Sequence, residues 1–279
     1  MSRIQSYFHD GLTFEVTDAG PESGTAVVLL HGFPQRRTSW DLVTPILNES
    51  GLRTLAPDLR GYSPAARPRR RRDYKLSNMA NDVVALISEL GQPVHLVGHD
   101  WGAATAWLVA AKFPEQVRTL TAVSVPHPGA MFSVGLPQLK KSWYMVANQV
   151  PGLSDWLMSN PERARRVLRS TGMPGFAADR YRSEIIDSGA IPTALNWYRG
   201  IPFTSRSLFR ARVSVPTTMV WSDGDQFLHR LGAECSANYV DNDFRLEILS
   251  GVSHWIPDQV PERLAQIILE RAQMEVNPG

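Results

Sequence analysis

An aspartate stands between two glycines at Gly98-His99-Asp100-Trp101-Gly102. The pentapeptide follows an apolar run, Val94 to Val97, and opens a helix-like run, Ala103 to Ala111. This predicts a strand, a sharp turn and a helix, the setting in which a serine nucleophile is written G-x-S-x-G. The glycines let strand and helix approach at a strained turn, which holds the central side chain up into a cavity. Aspartate at the centre narrows the chemistry. A serine attacking an sp³ carbon would leave an ether, which a histidine and a water cannot hydrolyse. A carboxylate leaves an ester, which they can. The elbow thus points to substitution at carbon, with an epoxide oxygen or a halide as leaving group. Taken alone, the same letters also describe an aspartate capping a helix beside a glycine turn, so the partners decide.

Such an ester needs a water activator, an orienter for that activator and an oxyanion hole. His254, in Gly251-Val252-Ser253-His254-Trp255, follows an apolar run ending at Leu249. Asp225, in Trp221-Ser222-Asp223-Gly224-Asp225, follows the run Val213 to Trp221. Asp223 is the rival acid, but it precedes Gly224 as a turn residue does, which favours Asp225. Nucleophile, acid and histidine then come in the chain order of α/β-hydrolase triads. His31-Gly32-Phe33-Pro34 directly follows Ala26 to Leu30, so the N–H groups of Phe33 and Trp101 would face the oxyanion formed as water attacks the ester. Pro34 follows a bulky residue in this tight loop, a site for a cis X–Pro bond.

The elements that must position these residues alternate. Residues 4 to 19 read as a β-hairpin turning at Asp10-Gly11. The aliphatic run 26–30 suits a strand buried on both faces of a parallel sheet. A helix over Ser39 to Asn48, a strand over Arg53 to Ala56 and a helix over Met79 to Leu90, closed by Gly91, come before the elbow; a strand over Leu120 to Val125 follows it. This is a doubly wound α/β pattern. It breaks at Pro126-His127-Pro128-Gly129. From there to Arg212 the chain is rich in Trp, Met, Pro and Arg, with helix-like pieces at 137–148, 161–170, 178–188 and 192–199. A loop of about 85 residues is too long for a compact domain. The reading is a core of residues 1–126 and 213–279 and a helical cap of residues 127–212 over the carboxyl edge of the sheet, where α/β folds bind ligands. The sheet resumes at 213–221, followed by a helix at 229–238, a strand at 244–249 and a last helix at 260–274.

Composition sets broad limits. The chain has 279 residues, 43% of them hydrophobic and 20% charged, with a net charge of +2. It can therefore build a sizeable core, and its balance gives no global case for nucleic acid. The single cysteine rules out an internal disulfide and suits a reducing compartment. The N-terminus lacks the apolar core of a signal peptide, and no run approaches the roughly 18 apolar residues of a membrane span. These features favour a cytoplasmic enzyme that is not an integral membrane protein. The arginine run Arg67 to Arg72 has no aromatic interleaving and reads as a solvated loop. There is no His-x-x-x-His or Cys-x-x-Cys site and no dinucleotide fingerprint, so no metal or organic cofactor is expected. A homodimer stays an open alternative.

Together, His31-Gly32-Phe33-Pro34, the Asp100 elbow, Asp225 and the His254 segment resemble the α/β-hydrolase-fold epoxide hydrolases, from about residue 5 to 270. The resemblance extends to the cap. Asn196-Trp197-Tyr198-Arg199 is similar to the family segment carrying one of two ring-opening tyrosines, which implies that role for Tyr198. Trp143-Tyr144-Met145, ahead of Val150-Pro151-Gly152, resembles the segment carrying the other, which implies Tyr144, with Tyr181 as the fallback. Phenols separate the two leaving groups. An opened epoxide is an alkoxide whose conjugate acid is as weak as water, roughly pKa 15.7, and needs a donor near pKa ~10. A halide needs only N–H donors. Haloalkane dehalogenases often carry Asn where this chain has Phe33; fluoroacetate dehalogenases carry arginines just after the nucleophile, where it has Trp101 and Ala104. The expectation is a lipophilic epoxide opened to a vicinal diol through an ester on Asp100. Its pocket is expected from Phe33, Trp101, Trp143, Met145, Trp156, Trp197 and Trp255. A dehalogenase using the same aspartate is second, and a ligand-binding protein on a hydrolase scaffold third.

Overall fold

A computed structural model describes residues 3–150 and 152–274. Pro151, the middle residue of the Val-Pro-Gly motif, lies outside the described residues. Eight strands form one sheet: β1 (Ser6–His9), β2 (Leu12–Ala19), β3 (Ala26–Leu30), β4 (Arg53–Pro57), β5 (Val94–His99), β6 (Val117–Val123), β7 (Thr217–Ser222) and β8 (Phe244–Leu249). Their order across the sheet is β1-β2-β4-β3-β5-β6-β7-β8. The hairpin β1–β2 and its pairing with β4 are antiparallel, and every later pair is parallel. The hairpin turns at Asp10 (φ 51°) and Gly11 (φ 75°), the doubly positive turn that matches strand twist.

The aliphatic runs are continuous because both faces of the sheet are covered. Val28, Leu30, Leu96 and Leu120 pack on one side with Met79, Val83, Leu86 and Trp107, from the helices Leu76–Leu90 and Trp101–Lys112. Val27, Leu29, Val97 and Val220 pack on the other with Leu47, Leu264, Ala265 and Ile268, from the helices Thr44–Glu49 and Pro261–Met274. Burying one such side chain is worth about 1.5–3 kcal/mol, and this double layer holds the carboxyl ends of β5, β7 and β8 at fixed spacing.

Some boundaries differ from the sequence expectation. The helix read over 39–48 is a 3-10 turn, Arg37–Trp40, then a helix from Thr44. Pro45 sits in its first turn, where proline belongs, and so sets a later start. Strand β6 lies three residues earlier at its start than read. Residues 213–216 are not in β7; Val213 makes only an isolated bridge with Val240. Among the described residues between β6 and β7 there are helices and no strand. They include Pro128–Ser133 and Leu153–Ser159, which the periodicity did not suggest. Among the described residues no helix is long and apolar enough to cross a membrane.

Candidate active site

The turn after β5 is the tightest point of the sheet edge. Asp100 has φ 52° and ψ −120°, between β5 and the helix that starts at Trp101. A Cβ at Gly102 would run into the Leu30 carbonyl, and one at Gly32 would run into the Asp100 side chain. Glycine is required at both positions, by the close approach of the Leu30 backbone at Gly102 and of the Asp100 side chain at Gly32. The result aims the Asp100 carboxylate away from the sheet.

Each oxygen of that carboxylate has a partner. Oδ1 accepts the Phe33 N–H at 2.8 Å, and Oδ2 lies 3.3 Å from His254 Nε2. Asp100 keeps 13% of its side chain accessible, which is its opening to the cavity, whereas His254 and Asp225 are buried. His254 Nδ1 donates to Asp225 Oδ2 at 2.7 Å. Asp225 Oδ1 accepts the N–H groups of Phe227 (2.7 Å) and Leu228 (2.9 Å), so this carboxylate is fully used. The His254 carbonyl in turn accepts Ser124 Oγ and His99 Nε2, both at 2.9 Å. The Phe33–Pro34 bond is cis. Trp101 opens its helix, where the first backbone N–H groups have no intrahelical acceptor.

Electrostatics follow from burial and pairing. Burial works against the charged form of Asp100, but His254, His99 and the Phe33 N–H outweigh it and hold the carboxyl below its ordinary value. Burial works against the His254 cation too, and the two flanking carboxylates reverse that, raising the ring to about 10. His99 goes the other way, to about 4, because burial and the His254 charge dominate. It stays neutral and serves as a hydrogen-bond donor.

An apolar cavity lies over Asp100. Tyr144 and Tyr198 line it, as do Trp101 and Met145. The two tyrosine rings meet edge to face at 6.0 Å, and Trp101 meets Tyr198 at 5.2 Å. Burial first, and then the Asp100 charge, raise both phenols well above their ordinary value, so both keep their protons. Phe33 is not a wall of the cavity; its ring backs Tyr198 at 5.1 Å.

Four expected pocket tryptophans are corrected. Trp143 is 69% exposed on the outer side of its helix. Trp156 is also exposed, under the Arg163 guanidinium at 3.8 Å. Trp197 is fully buried behind the site, its N–H on the Arg60 carbonyl at 2.6 Å and its ring against His31 and Trp101. Trp255 stands against the His254 ring, and its N–H is held by Thr171 Oγ1 at 3.0 Å. The fallback tyrosine is corrected as well: the Tyr181 hydroxyl donates to the Met158 carbonyl at 3.1 Å and does not face this cavity. Asp223 takes the turn role, accepting the Gly251 N–H at 2.7 Å. Sequence reading missed Met131, Phe132, Ile201 and Phe209 on the cavity wall, and Phe227, which packs on both Tyr144 and His254 at 5.1 Å. None lies in a local motif; only tertiary packing gathers them.

A family model described as the alpha/beta hydrolase fold matches residues 25–260. The chain is 34% identical to epoxide hydrolase 4 of Homo sapiens, over 92% of this chain and 75% of that protein. It is 32% identical to the AB hydrolase superfamily protein YfhM of Bacillus subtilis (strain 168), over 94% of each. The crystal structure of epoxide hydrolase A from Mycobacterium thermoresistibile superposes with a TM-score of 0.83 at 23% identity, covering 98% of both chains, a likeness of fold.

Proposed function

The chain belongs to the α/β-hydrolase-fold family, and from that premise and the chemistry of its cavity we propose that it hydrolyses a lipophilic epoxide to a vicinal diol through a covalent ester on Asp100. Residues 127–212 act as the cap, and residues 1–126 and 213–279 as the core. The observation that carries this reading is two protonated tyrosines sharing one cavity with a hydrogen-bonded carboxylate. A carboxylate held ionised by the Phe33 N–H and His254 is a ready nucleophile at carbon.

In the first step an Asp100 oxygen bonds to an epoxide carbon and the C–O bond breaks, its electron pair going to the epoxide oxygen. Tyr144 and Tyr198 hydrogen-bond that oxygen, and one passes it a proton. The Asp100 charge, which had helped to raise both phenols, leaves the carboxyl in the same step. This makes the phenols better acids just as the alkoxide forms. The same loss removes one support of the His254 cation. His254 gives up its proton to solvent, then takes another from a water whose oxygen bonds to the ester carbonyl carbon. The N–H groups of Phe33 and Trp101 face the resulting oxyanion. Collapse frees the diol oxygen, protonated from His254; the regenerated Asp100 carboxyl passes the proton it gained from water to His254, and solvent restores the tyrosine proton. Asp225 orients the imidazole throughout.

A halide leaving group uses the same aspartate, and the Trp101 indole on the cavity wall is the feature that would favour it. A parallel panel of epoxides and haloalkanes separates the two, with diol expected from epoxides and no halide release.

The covalent step has its own test. In a single turnover with enzyme in excess in ¹⁸O-water, the diol oxygen comes from Asp100, so unlabelled diol is expected. His254→Gln should accumulate the alkyl ester, seen as a mass increase on the intact protein. Fully labelled first-turnover diol would sink the nucleophile assignment.

A further inference from the structure

The mouth of the catalytic cavity opens onto an apolar surface that the chemistry does not use. Phe132, Leu136, Leu139 and Val146 line one outer groove. This groove shares Met131, Phe132, Met145 and Ile201 with the wall of the catalytic cavity. Its side chains are not half-tucked core residues: Leu136 is 71%, Leu139 62% and Val146 66% exposed. Solvated helices normally present polar side chains on that face.

The charge pattern around the groove is one-sided. No acidic residue occurs from Pro126 to Ser154, nor from Asn196 to Ser222. Lys140, on the helix Leu136–Lys141, is exposed beside Leu139. Arg206 and Arg210 are exposed on the 3-10 segment whose Phe209 ring lies 4.9 Å from Phe132. Protruding apolar side chains ringed by cations are the composition that settles into an anionic lipid interface. A symmetric contact between two copies would instead set these cations against themselves.

We propose that the rim of the cavity mouth, Leu136, Leu139 and Val146 with Lys140, Arg206 and Arg210, is a docking surface for an anionic phospholipid bilayer. Docking there puts the open end of the catalytic cavity at the acyl–headgroup boundary, so an apolar substrate reaches Asp100 from the lipid without crossing water. That entry route rests on the epoxide reading, whereas bilayer binding is independent of it.

The test is flotation of the full-length protein with unilamellar vesicles, of phosphatidylcholine alone or mixed with phosphatidylglycerol. The wild type should float with the mixed vesicles at low salt, bind the zwitterionic ones less, and be released near ~1 M salt, where the Debye length is about 3 Å. Lys140→Glu/Arg206→Glu/Arg210→Glu should weaken binding to the mixed vesicles roughly a hundredfold. Leu136→Ser/Leu139→Ser should weaken it about tenfold. Thermal melts check that both variants fold, and the matching glutamine set repeats the charge arm if reversal unfolds the chain. No flotation of the wild type overturns the proposal. So does a loss confined to the charge variant, which would be adsorption without insertion. A lipid-free dimer that the leucine variant splits, with vesicle binding unchanged, would assign the groove to a second copy instead.

Discussion

The two sides of the cavity over Asp100 are built by different means. Asp100, Asp225 and His254 follow the ends of β5, β7 and β8, strands tied into the sheet by parallel pairing that is in register at their carboxyl ends. Tyr144 and Tyr198 sit on helices of five and four residues. Helices that short do not stand alone, since isolated ones below about 12–15 residues are marginal in water. Individual hydrogen bonds hold them: Trp197 to the Arg60 carbonyl and Gln149 to the Tyr198 carbonyl, both at 2.6 Å. Arg199 adds an ion pair with Asp155. One side is thus placed by the whole sheet and the other by a few local ties.

The largest test of this contrast is chemical. Tyr144→Phe/Tyr198→Phe should slow alkylation by about 10²–10⁴ while leaving the fold intact, because only acid catalysis is removed. Rapid-quench measurement of ester formation checks it, and a double variant that opens epoxides at the parental rate would show that the leaving oxygen is protonated elsewhere. A smaller effect separates the two scaffolds themselves. Asp82 pairs with Arg60 through two contacts of 2.7 Å, both residues buried beneath the sheet edge. Asp82→Asn removes the buried carboxylate and leaves that guanidinium only the exposed Asp10, 3.8 Å away, and denaturant unfolding should lose about 3–5 kcal/mol. Asp179→Asn breaks the exposed ion pair with Arg165 in the helical segment, and the midpoint should not move.

A third effect is a slope in pH. An unfolded histidine releases its proton near ~6.5, while His254 in the folded protein holds it to about 10. Across that window the folded state binds more protons than the unfolded state, so stability falls as pH rises. Melting temperatures taken between those two values should decline in the wild type and less in His254→Gln. Equal slopes would mean that the resting imidazole is neutral.

The same contrast explains what the sequence could reveal. Strands such as Ala26–Leu30 are buried on both faces, so composition alone marks them, and Asp100, Asp225 and His254 are found by counting from strand ends. Asp225 could be preferred to Asp223 because a turn carboxylate before glycine has a local job, and Asp223 indeed caps the Gly251 N–H. The tryptophans misled because an indole reads as pocket lining wherever it falls. Trp197 is instead a pillar behind Trp101, and Trp143 faces outward beside the exposed Val146. Which way a side chain on a five-residue helix points is decided by neighbours far away in sequence. Pro128–Ser133 was missed for a related reason: it starts on a proline, and its cap is His127 Nδ1 accepting the Gly129 N–H at 3.1 Å, an unusual capping group.

The tie between the helix Leu136–Lys141 and the loop after β7 has a mechanical side. Gln138 is buried, giving its amide N–H to the Phe227 carbonyl and accepting the His229 N–H, both at 2.9 Å. Lys141 adds a bond to the Asp225 carbonyl at 2.6 Å. That helix is therefore riveted to the loop that carries Asp225. Lifting it like a flap would unseat Asp225 together with the rim, so the wall on that side is a doorpost rather than a door. Traffic through the mouth is left to the turning of unbranched and branched side chains at the threshold, Met131, Met145 and Ile201, whose rotamer changes break no hydrogen bond.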